Sequence, residues 1–153
     1  MKNTILVSLL IVLAFSGCKS TQTTGAANQI KSTSPNIAMQ ETYWKLTELM
    51  GKPVKQSEGM KKEIHIILKT QDNRLQGFGG CNTLMGKYEL KEGNRIAFSG
   101  VASTMMACPD LAIEAEFNKM LGAVDNYSIN GNTMSLNKAR MAPMARFEAV
   151  FLK

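Results

Sequence analysis

The sequence predicts a mainly β domain of the α+β class. About seven or eight antiparallel strands should form a barrel-like meander, with one helix packed on it near residues 110–121. Two observations lead to this prediction. Short runs with strand periodicity recur between turns that are rich in Asn, Asp and Gly, and a single segment has helical periodicity instead. Short strands at this spacing favour a sheet that curls and closes on itself.

Eight runs have the apolar alternation or the β-branched and aromatic content of strands. They are residues 43–49, 63–69, 74–79, 87–91, 95–99, 127–129, 133–136 and 145–152. The clearest is 63–69, in which Ile64, Ile66 and Leu68 fall on one face. His65 and Ile67 fall on the other face, which is the period of a strand.

Turn residues separate the runs. Asp72-Asn73 come before the third run, and Glu92-Gly93-Asn94 lie between two runs and indicate a hairpin. Asn130-Gly131-Asn132 indicate a second hairpin. Asn-Gly is typical of a type I′ turn, in which both central residues need positive φ.

The predicted helix begins near Pro109 and Asp110. Pro is favoured in the first turn, and an acidic residue there interacts well with the positive end of the helix dipole. Four apolar residues then form one stripe. They are Ile113, Phe117, Met120 and Leu121. We expect Gly122 to follow the last helical turn and Glu114 and Glu116 to face water.

The first 40 residues have the composition of an export signal and a tether. Lys2 precedes an apolar run that is too short to span a membrane comfortably. Phe15-Ser16-Gly17-Cys18 follows and resembles a bacterial lipobox, with Phe where Leu is usual. Residues 19–40 are polar and cannot bury enough apolar surface to become ordered.

The predicted organisation is a signal peptide at 1–17, a lipidated Cys18 with a flexible tether at 18–40, and one folded domain at 41–153. The alternatives are an ordinary cleaved signal peptide with a chance cysteine, or an uncleaved anchor. Lipid on Cys18 would anchor the protein to a membrane of the cell envelope. Lys19 replaces the Asp that retains some lipoproteins at the inner membrane, which favours the periplasmic face of the outer membrane.

The distribution of charge argues against nucleic acid as a partner. The chain has 18 Lys and Arg against 12 Asp and Glu, and three of the basic residues precede residue 41. Those that remain are scattered and have no interleaved aromatic stripe, so we expect no nucleic-acid binding. We expect a monomer without a cofactor that contacts a membrane through its lipid and binds an unidentified envelope protein or component.

A series of motifs extends along the folded domain. In chain order they contain Trp44, Gly80-Cys81-Asn82, Gly86, Tyr88, Thr104-Met105-Met106-Ala107-Cys108 and Phe117. Over about residues 42–153 this series resembles the META domain, the family of HslJ-like heat-inducible lipoproteins. The resemblance implies a barrel-like β fold with a helix and a link to heat shock and stress tolerance. It implies no established enzyme activity.

Cys81 and Cys108 are the two cysteines that remain once Cys18 is lipidated. Disulfides persist outside the cytoplasm, and a bond between these two would stabilise the fold by about 3–4 kcal/mol in the chain-entropy model. The alternative is a pair of buried thiols that pack as small apolar side chains. A redox-active pair is less favoured because the spacing is not Cys-x-x-Cys.

The other reactive residue types indicate no catalytic site, and one methionine pattern offers a candidate metal site. His65 is the only histidine, and we expect it to be solvent-facing or structural. Met105-Met106 and Met141 with Met144 are a candidate Cu(I) site, but packing in the core is the favoured role for Met.

The sequence thus predicts a non-catalytic envelope lipoprotein that acts in stress tolerance or envelope maintenance by binding a partner. One alternative is a carrier that holds a small apolar ligand inside the barrel, which requires an open interior. The other is a thiol-redox protein.

Overall fold

The structure is a computed structural model that describes residues 37–55, 62–108 and 111–151. Within these residues the chain forms nine strands and one α-helix. In order they are β1 (Tyr43–Leu49), β2 (Lys52–Pro53), β3 (His65–Lys69), β4 (Arg74–Phe78), β5 (Thr83–Lys91), β6 (Arg95–Ser103), α1 (Leu111–Ala123), β7 (Asn126–Asn130), β8 (Thr133–Asn137) and β9 (Ala145–Val150). The predicted fold class, mainly β with a single packed helix, is confirmed.

Eight of the described strands form a closed antiparallel ring. Neighbours follow the order β1, β3, β4, β5, β6, β7, β8 and β9, and β9 pairs again with β1 from Tyr43↔Val150 to Leu49↔Ala145. The short strand β2 lies outside this ring and pairs only with the end of β1. The barrel-like meander is therefore confirmed, and β2 is an addition to the strands expected from the sequence.

Both predicted hairpins form. The Lys91↔Arg95 pair encloses a three-residue turn, and Asn130↔Thr133 encloses a two-residue turn. In the second turn only Gly131 has positive φ, at 56°. Our prediction of a type I′ turn is wrong, because type I′ requires positive φ at both central residues and type II′ only at the first.

Apolar side chains fill the interior of the barrel. Several of these side chains have no solvent-accessible area. They are Trp44, Ile66, Leu68, Leu75, Phe117, Met134, Leu136 and Phe147. A side chain beside a water-sized void would keep some accessible area, so no such void touches them. The interior around these residues leaves no room for the apolar ligand that a carrier would hold.

Helix α1 covers the weakest seam of the ring. β6 and β7 share one residue pair, Arg95↔Asn126, and α1 lies between them in the chain. Phe117 of α1 packs against Phe147 with ring centroids 6.2 Å apart. The helix therefore packs beside β6 and supplies Phe117 to the core of the barrel.

The helix ends later than predicted. It continues to Ala123, and the Val124 N–H donates to the Met120 carbonyl at 3.1 Å. Gly122 thus lies inside the last turn, and our prediction that it follows the helix is wrong. The predicted start at Pro109 and Asp110 lies outside the described residues.

The folded domain extends N-terminal to residue 41. Ile37 and Met39 are buried, and the Trp44 indole Nε1–H donates to the Met39 carbonyl at 2.8 Å. Residues 37–40, which we assigned to the tether, therefore belong to the domain. The predicted signal peptide, Cys18 and the rest of the tether lie outside the described residues. In the part of the chain that the structure describes, no helix is both long and apolar enough to cross a membrane.

Candidate functional site

Three segments of the chain meet at one end of the barrel, and the first two contain residues of the motif series. They are the loop 79–82 between β4 and β5, the segment 104–108 after β6, and the first turn of α1. We call their shared contacts the latch, which consists of Cys81, Asn82, Thr104, Cys108 and Glu114. β4 runs from the turn Gln71–Asn73 at the opposite end of the barrel to loop 79–82.

Glu114 is the buried centre of the latch, with 4% of its surface exposed. Its Oε2 accepts hydrogen bonds from the backbone N–H groups of Cys81, at 3.1 Å, and Asn82, at 2.7 Å. Its Oε1 accepts from Asn82 Nδ2 at 2.9 Å. Our prediction that Glu114 faces water is wrong, because loop 79–82 folds over the helix. Glu116 is exposed, as predicted.

The sequence holds a signal for this burial that our prediction missed. Glu114 lies three residues before Phe117 and seven before Leu121, and both of these are buried. That spacing places Glu114 on the apolar face of the helix. A carboxylate on a buried face needs hydrogen-bond donors. These donors come from residues 32 and 33 positions away in the sequence, so helical periodicity cannot identify them.

Asn82 joins the helix to the segment after β6. Its side chain donates to Glu114, and its Oδ1 accepts from the Thr104 hydroxyl at 2.9 Å and the Met106 N–H at 2.7 Å. The Thr104 N–H in turn donates to the Thr83 carbonyl at 3.1 Å. Both polar atoms of the Asn82 side chain are therefore occupied inside the protein.

A disulfide joins Cys81 to Cys108, which are 27 positions apart in sequence and have Cα atoms 6.0 Å apart. The predicted bond is confirmed, and the alternative of two buried free thiols does not describe the structure. Cys81 is also buried. Because a thiolate is the attacking species in thiol chemistry, this pair must first be reduced before it can react as a nucleophile.

Two adjacent glycines let the loop approach the helix. A Cβ on Gly79 would lie 2.7 Å from Cγ of Glu114, which is too close for a real side chain. Gly80 has a φ of 119°, a value that L-residues rarely adopt. The Gly79-Gly80 pair is therefore needed for the backbone N–H groups of Cys81 and Asn82 to reach the carboxylate.

The remaining motif residues pack outside the latch. Trp44 and Phe117 lie in the core, and Gly86 lies in β5, where a Cβ would be 3.2 Å from the Val101 Cα. The Tyr88 hydroxyl donates to the Lys69 carbonyl at 3.0 Å. These residues support the barrel and its opposite end.

Several methionines are on the surface. Met105 and Met141 are exposed, and so is Met106 with about half of its area. Our prediction of core packing is wrong for these three methionines, whereas Met144 is partly buried and packs against the core. Ala107 is exposed as well, so the segment between Thr104 and Cys108 presents apolar side chains to solvent while its backbone is held by the latch.

His65 lies on the outer face of the sheet and is partly buried. Its ring stacks on Tyr43 with centroids 4.2 Å apart, and its Nδ1 lies 2.9 Å from the Glu63 carbonyl oxygen. Burial lowers the pKa of His65, and the charge of Lys62 acts in the same direction. These contacts favour a structural role. Within residues 37–55, 62–108 and 111–151, no three His, Cys, Asp or Glu side chains gather as a metal site would need.

A groove of about 430 Å³ runs along the outer side of α1 at the latch end. It is lined by Met50, Ala112, Ala115, Glu116, Lys119, Met120, Ala123 and Met144. The Met50 N–H donates to the Met144 carbonyl at 2.7 Å. This bond joins the two loops that line the groove opposite the helix. The groove is mainly apolar, with one acidic and one basic side chain.

The described domain is similar to a known protein family and to solved structures. The sequence model of the family described as the META domain matches residues 37–151. A protein from Burkholderia xenovorans with a structure solved by NMR is 25% identical, with a TM-score of 0.60 over 73% of this chain and 83% of that chain. A second NMR structure is 19% identical, with a TM-score of 0.57 over 73% of this chain and 94% of that chain, and shows the fold alone. No curated protein matches the sequence.

Proposed function

The chain belongs to the META domain family, and from this premise we propose that it is a non-catalytic lipoprotein of the cell envelope. Lipid on Cys18 anchors it to the periplasmic face of the outer membrane. It acts in stress tolerance or envelope maintenance by binding an envelope protein at the latch end of the barrel.

The observation that supports this proposal is that the polar groups of the latch bond to one another. Both oxygens of Glu114, both polar side-chain atoms of Asn82 and the hydroxyl of Thr104 are engaged in hydrogen bonds within the latch. Cys81 and Cys108 are bonded to each other. A catalytic group must reach a substrate, whereas these groups are directed at one another. The latch therefore fits a structural role.

Exposed apolar side chains supply the binding surface. Among the described residues, eight large apolar side chains have more than a third of their area exposed, and five of them lie at the latch end: Met50, Met105, Met106, Leu111 and Met141. Exposed apolar groups that gather on one part of a surface are typical of protein interaction sites. Methionine is common at such sites because its flexible thioether adapts to different partners.

The two alternative functions have less support. A carrier needs room inside the barrel, and the described interior is filled by side chains without accessible area. A thiol-redox protein needs an accessible thiolate, whereas Cys81 is buried and is bonded to the partly exposed Cys108. No observation favours either alternative over partner binding.

Site-specific photo-crosslinking in cells tests the binding surface. We expect a crosslinking amino acid at Met105 to capture an envelope protein, and the same amino acid at the exposed Glu92 in the β5–β6 hairpin to capture none. Met106→Asp placed beside the Met105 probe should reduce the yield of the adduct. Equal capture from both positions, or no adduct above background from Met105, would contradict the proposal.

Intact-mass analysis of the protein from membranes tests the anchor separately. We expect the mass of a chain that begins at Cys18 and carries acyl groups, and a Cys18→Ser variant that leaves the membrane fraction. A mature chain without lipid, or a variant that stays bound to membranes, would contradict lipid anchoring but would leave the binding surface untouched.

A further inference from the structure

The methionines of the described domain differ widely in exposure. Met105 is 99% exposed, Met141 67% and Met106 50%, whereas Met120 is 1% exposed and Met134 has no accessible area. Oxidation of a thioether requires contact with a dissolved oxidant, so it depends on exposure of the sulfur. The structure thus contains a graded series in which Met105 is the most accessible member.

The backbone around Met105 is fixed even though its side chain is free. The Met106 N–H donates to Asn82 Oδ1 at 2.7 Å, and the Thr104 N–H donates to the Thr83 carbonyl at 3.1 Å. Cys108 is tied to Cys81 three residues further on. Because both neighbours of Met105 are held, its side chain cannot turn into the core without breaking the latch.

We propose that Met105 is a site of reversible oxidation to methionine sulfoxide by a peroxide. The thioether sulfur attacks one oxygen of hydrogen peroxide, the O–O bond breaks, and a sulfoxide and water are formed. The sulfur loses two electrons, which reduce the peroxide. A methionine sulfoxide reductase with a dithiol reductant reverses the step.

The fold tolerates this modification at Met105. A sulfoxide is polar and disrupts packing where methionine lies in a core. Met105 has almost its full area in solvent and so has no packing to lose. Met134, by contrast, lies in the barrel interior, and its sulfoxide would have to form after local opening. The inference does not depend on the proposed partner or on lipid anchoring.

Peroxide treatment of the folded mature protein tests the proposal, with the sulfoxide at each methionine followed by peptide mass spectrometry. We expect Met105 to oxidise first, and more than about tenfold faster than Met120 and Met134, because the buried pair reacts only through opened states. The melting temperature should stay constant while Met105 is converted. Reductases of both stereospecificities should then remove the added oxygen.

A Met105→Leu variant provides the control, since it should lose the fastest oxidation phase and keep the rates of the other methionines. The proposal fails if Met105 reacts no faster than Met134. It also fails if the melting temperature falls in step with oxidation of Met105, or if the reductases leave its sulfoxide in place.

Discussion

The two ends of the barrel are closed by different chemistry. At the latch end a buried carboxylate, a buried amide and a disulfide join the helix to two loops. At the opposite end the segment 37–42 covers the core with Ile37 and Met39, the Trp44 indole donates to the Met39 carbonyl in one buried hydrogen bond, and the other polar contacts lie nearer the surface. The first closure depends on a buried carboxylate, a buried amide and a disulfide, and the second on apolar burial, one buried hydrogen bond and screened charges.

This difference predicts how each end responds to change. A buried acceptor that is removed leaves its donors without partners, and each orphaned group costs about 1–3 kcal/mol. A surface ion pair contributes about 0–1 kcal/mol because water and salt screen it. Substitutions in the latch should therefore lower the free energy of unfolding more than polar substitutions at the opposite end.

The largest effect should come from Glu114→Ala. It removes the acceptor for three N–H groups in a desolvated site, and we expect the free energy of unfolding to fall by about 3–5 kcal/mol. Urea denaturation measures this change. Glu116→Ala, on the exposed side of the same helix, should change it by less than about 0.5 kcal/mol. Equal effects for the two variants would mean that the buried carboxylate has no special role.

The second-largest loss of stability should come from removing the disulfide. Replacing both Cys81 and Cys108 with Ala should lower the free energy of unfolding by about 3 kcal/mol, since the unfolded chain gains the entropy of an open loop. Reduction of the unsubstituted protein should produce a similar loss in the same denaturation assay. A change below about 1 kcal/mol would show that the latch hydrogen bonds alone hold the loop.

A smaller effect is expected at the opposite end from Trp44→Phe. The variant keeps a ring in the core but leaves the Met39 carbonyl without its donor and creates a small cavity. We expect a loss of about 2 kcal/mol in the free energy of unfolding. Tyr43→Phe, one residue earlier and on the outer face, provides the matched control and should stay within about 0.5 kcal/mol. A Trp44→Phe loss as large as that of Glu114→Ala would remove the contrast between the ends.

The smallest effect on stability should come from Glu41. Its carboxylate pairs with Lys69 and accepts hydrogen bonds from the N–H and hydroxyl of Thr70. These contacts lower the pKa of Glu41 from 4.5 to about 2, and the hydrogen bond with Lys69 contributes most. A carboxyl with a lowered folded-state pKa stabilises the fold above its unfolded pKa and loses that contribution as the pH falls through the folded value. The stabilisation should therefore be complete above pH 4.5 and disappear towards pH 2.

Melting temperatures between pH 2 and 5 measure this contribution. Glu41→Gln should flatten the pH dependence in that window without abolishing it, because the Ala139 N–H and the Asn126 side chain also lower the pKa of Asp125. Added salt should weaken the ion-pair part of the effect. An unchanged slope in Glu41→Gln would show that the Lys69 and Thr70 contacts do not form in solution.

Local patterns predict the fold well and the latch poorly. The alternation Ile64, Ile66 and Leu68 and the turn residues at Gly93 and Gly131 act over a few positions, so the sequence identifies strands and hairpins directly. The burial of Glu114 depends on a loop more than 30 residues away, and no local period encodes that contact. Likewise, Ile37 and Met39 follow a polar tract whose composition predicts a tether, and only their packing against the barrel shows that they belong to the domain.

The sequence shows which residues make up the family motif and in what order, but it does not show what contacts they make. Gly80, Asn82 and Thr104 are recognisable by residue type and order, whereas the hydrogen bonds of Asn82 with Thr104 and Glu114 require the closed barrel. Met105, in the same series, has no part in these side-chain contacts and faces solvent. The motif therefore combines residues that hold the segment 104–108 in place, such as Asn82 and Thr104, with Met105, which that segment exposes to solvent.

A double-mutant cycle between Glu114 and Asn82 tests this account most directly. Urea denaturation of Glu114→Ala, Asn82→Ala and the double variant gives the coupling energy between the two side chains. If they act as one buried unit, the losses should fall short of additivity by about 1–3 kcal/mol. Losses that add to within about 0.5 kcal/mol would contradict the latch as the structural role of the family motif.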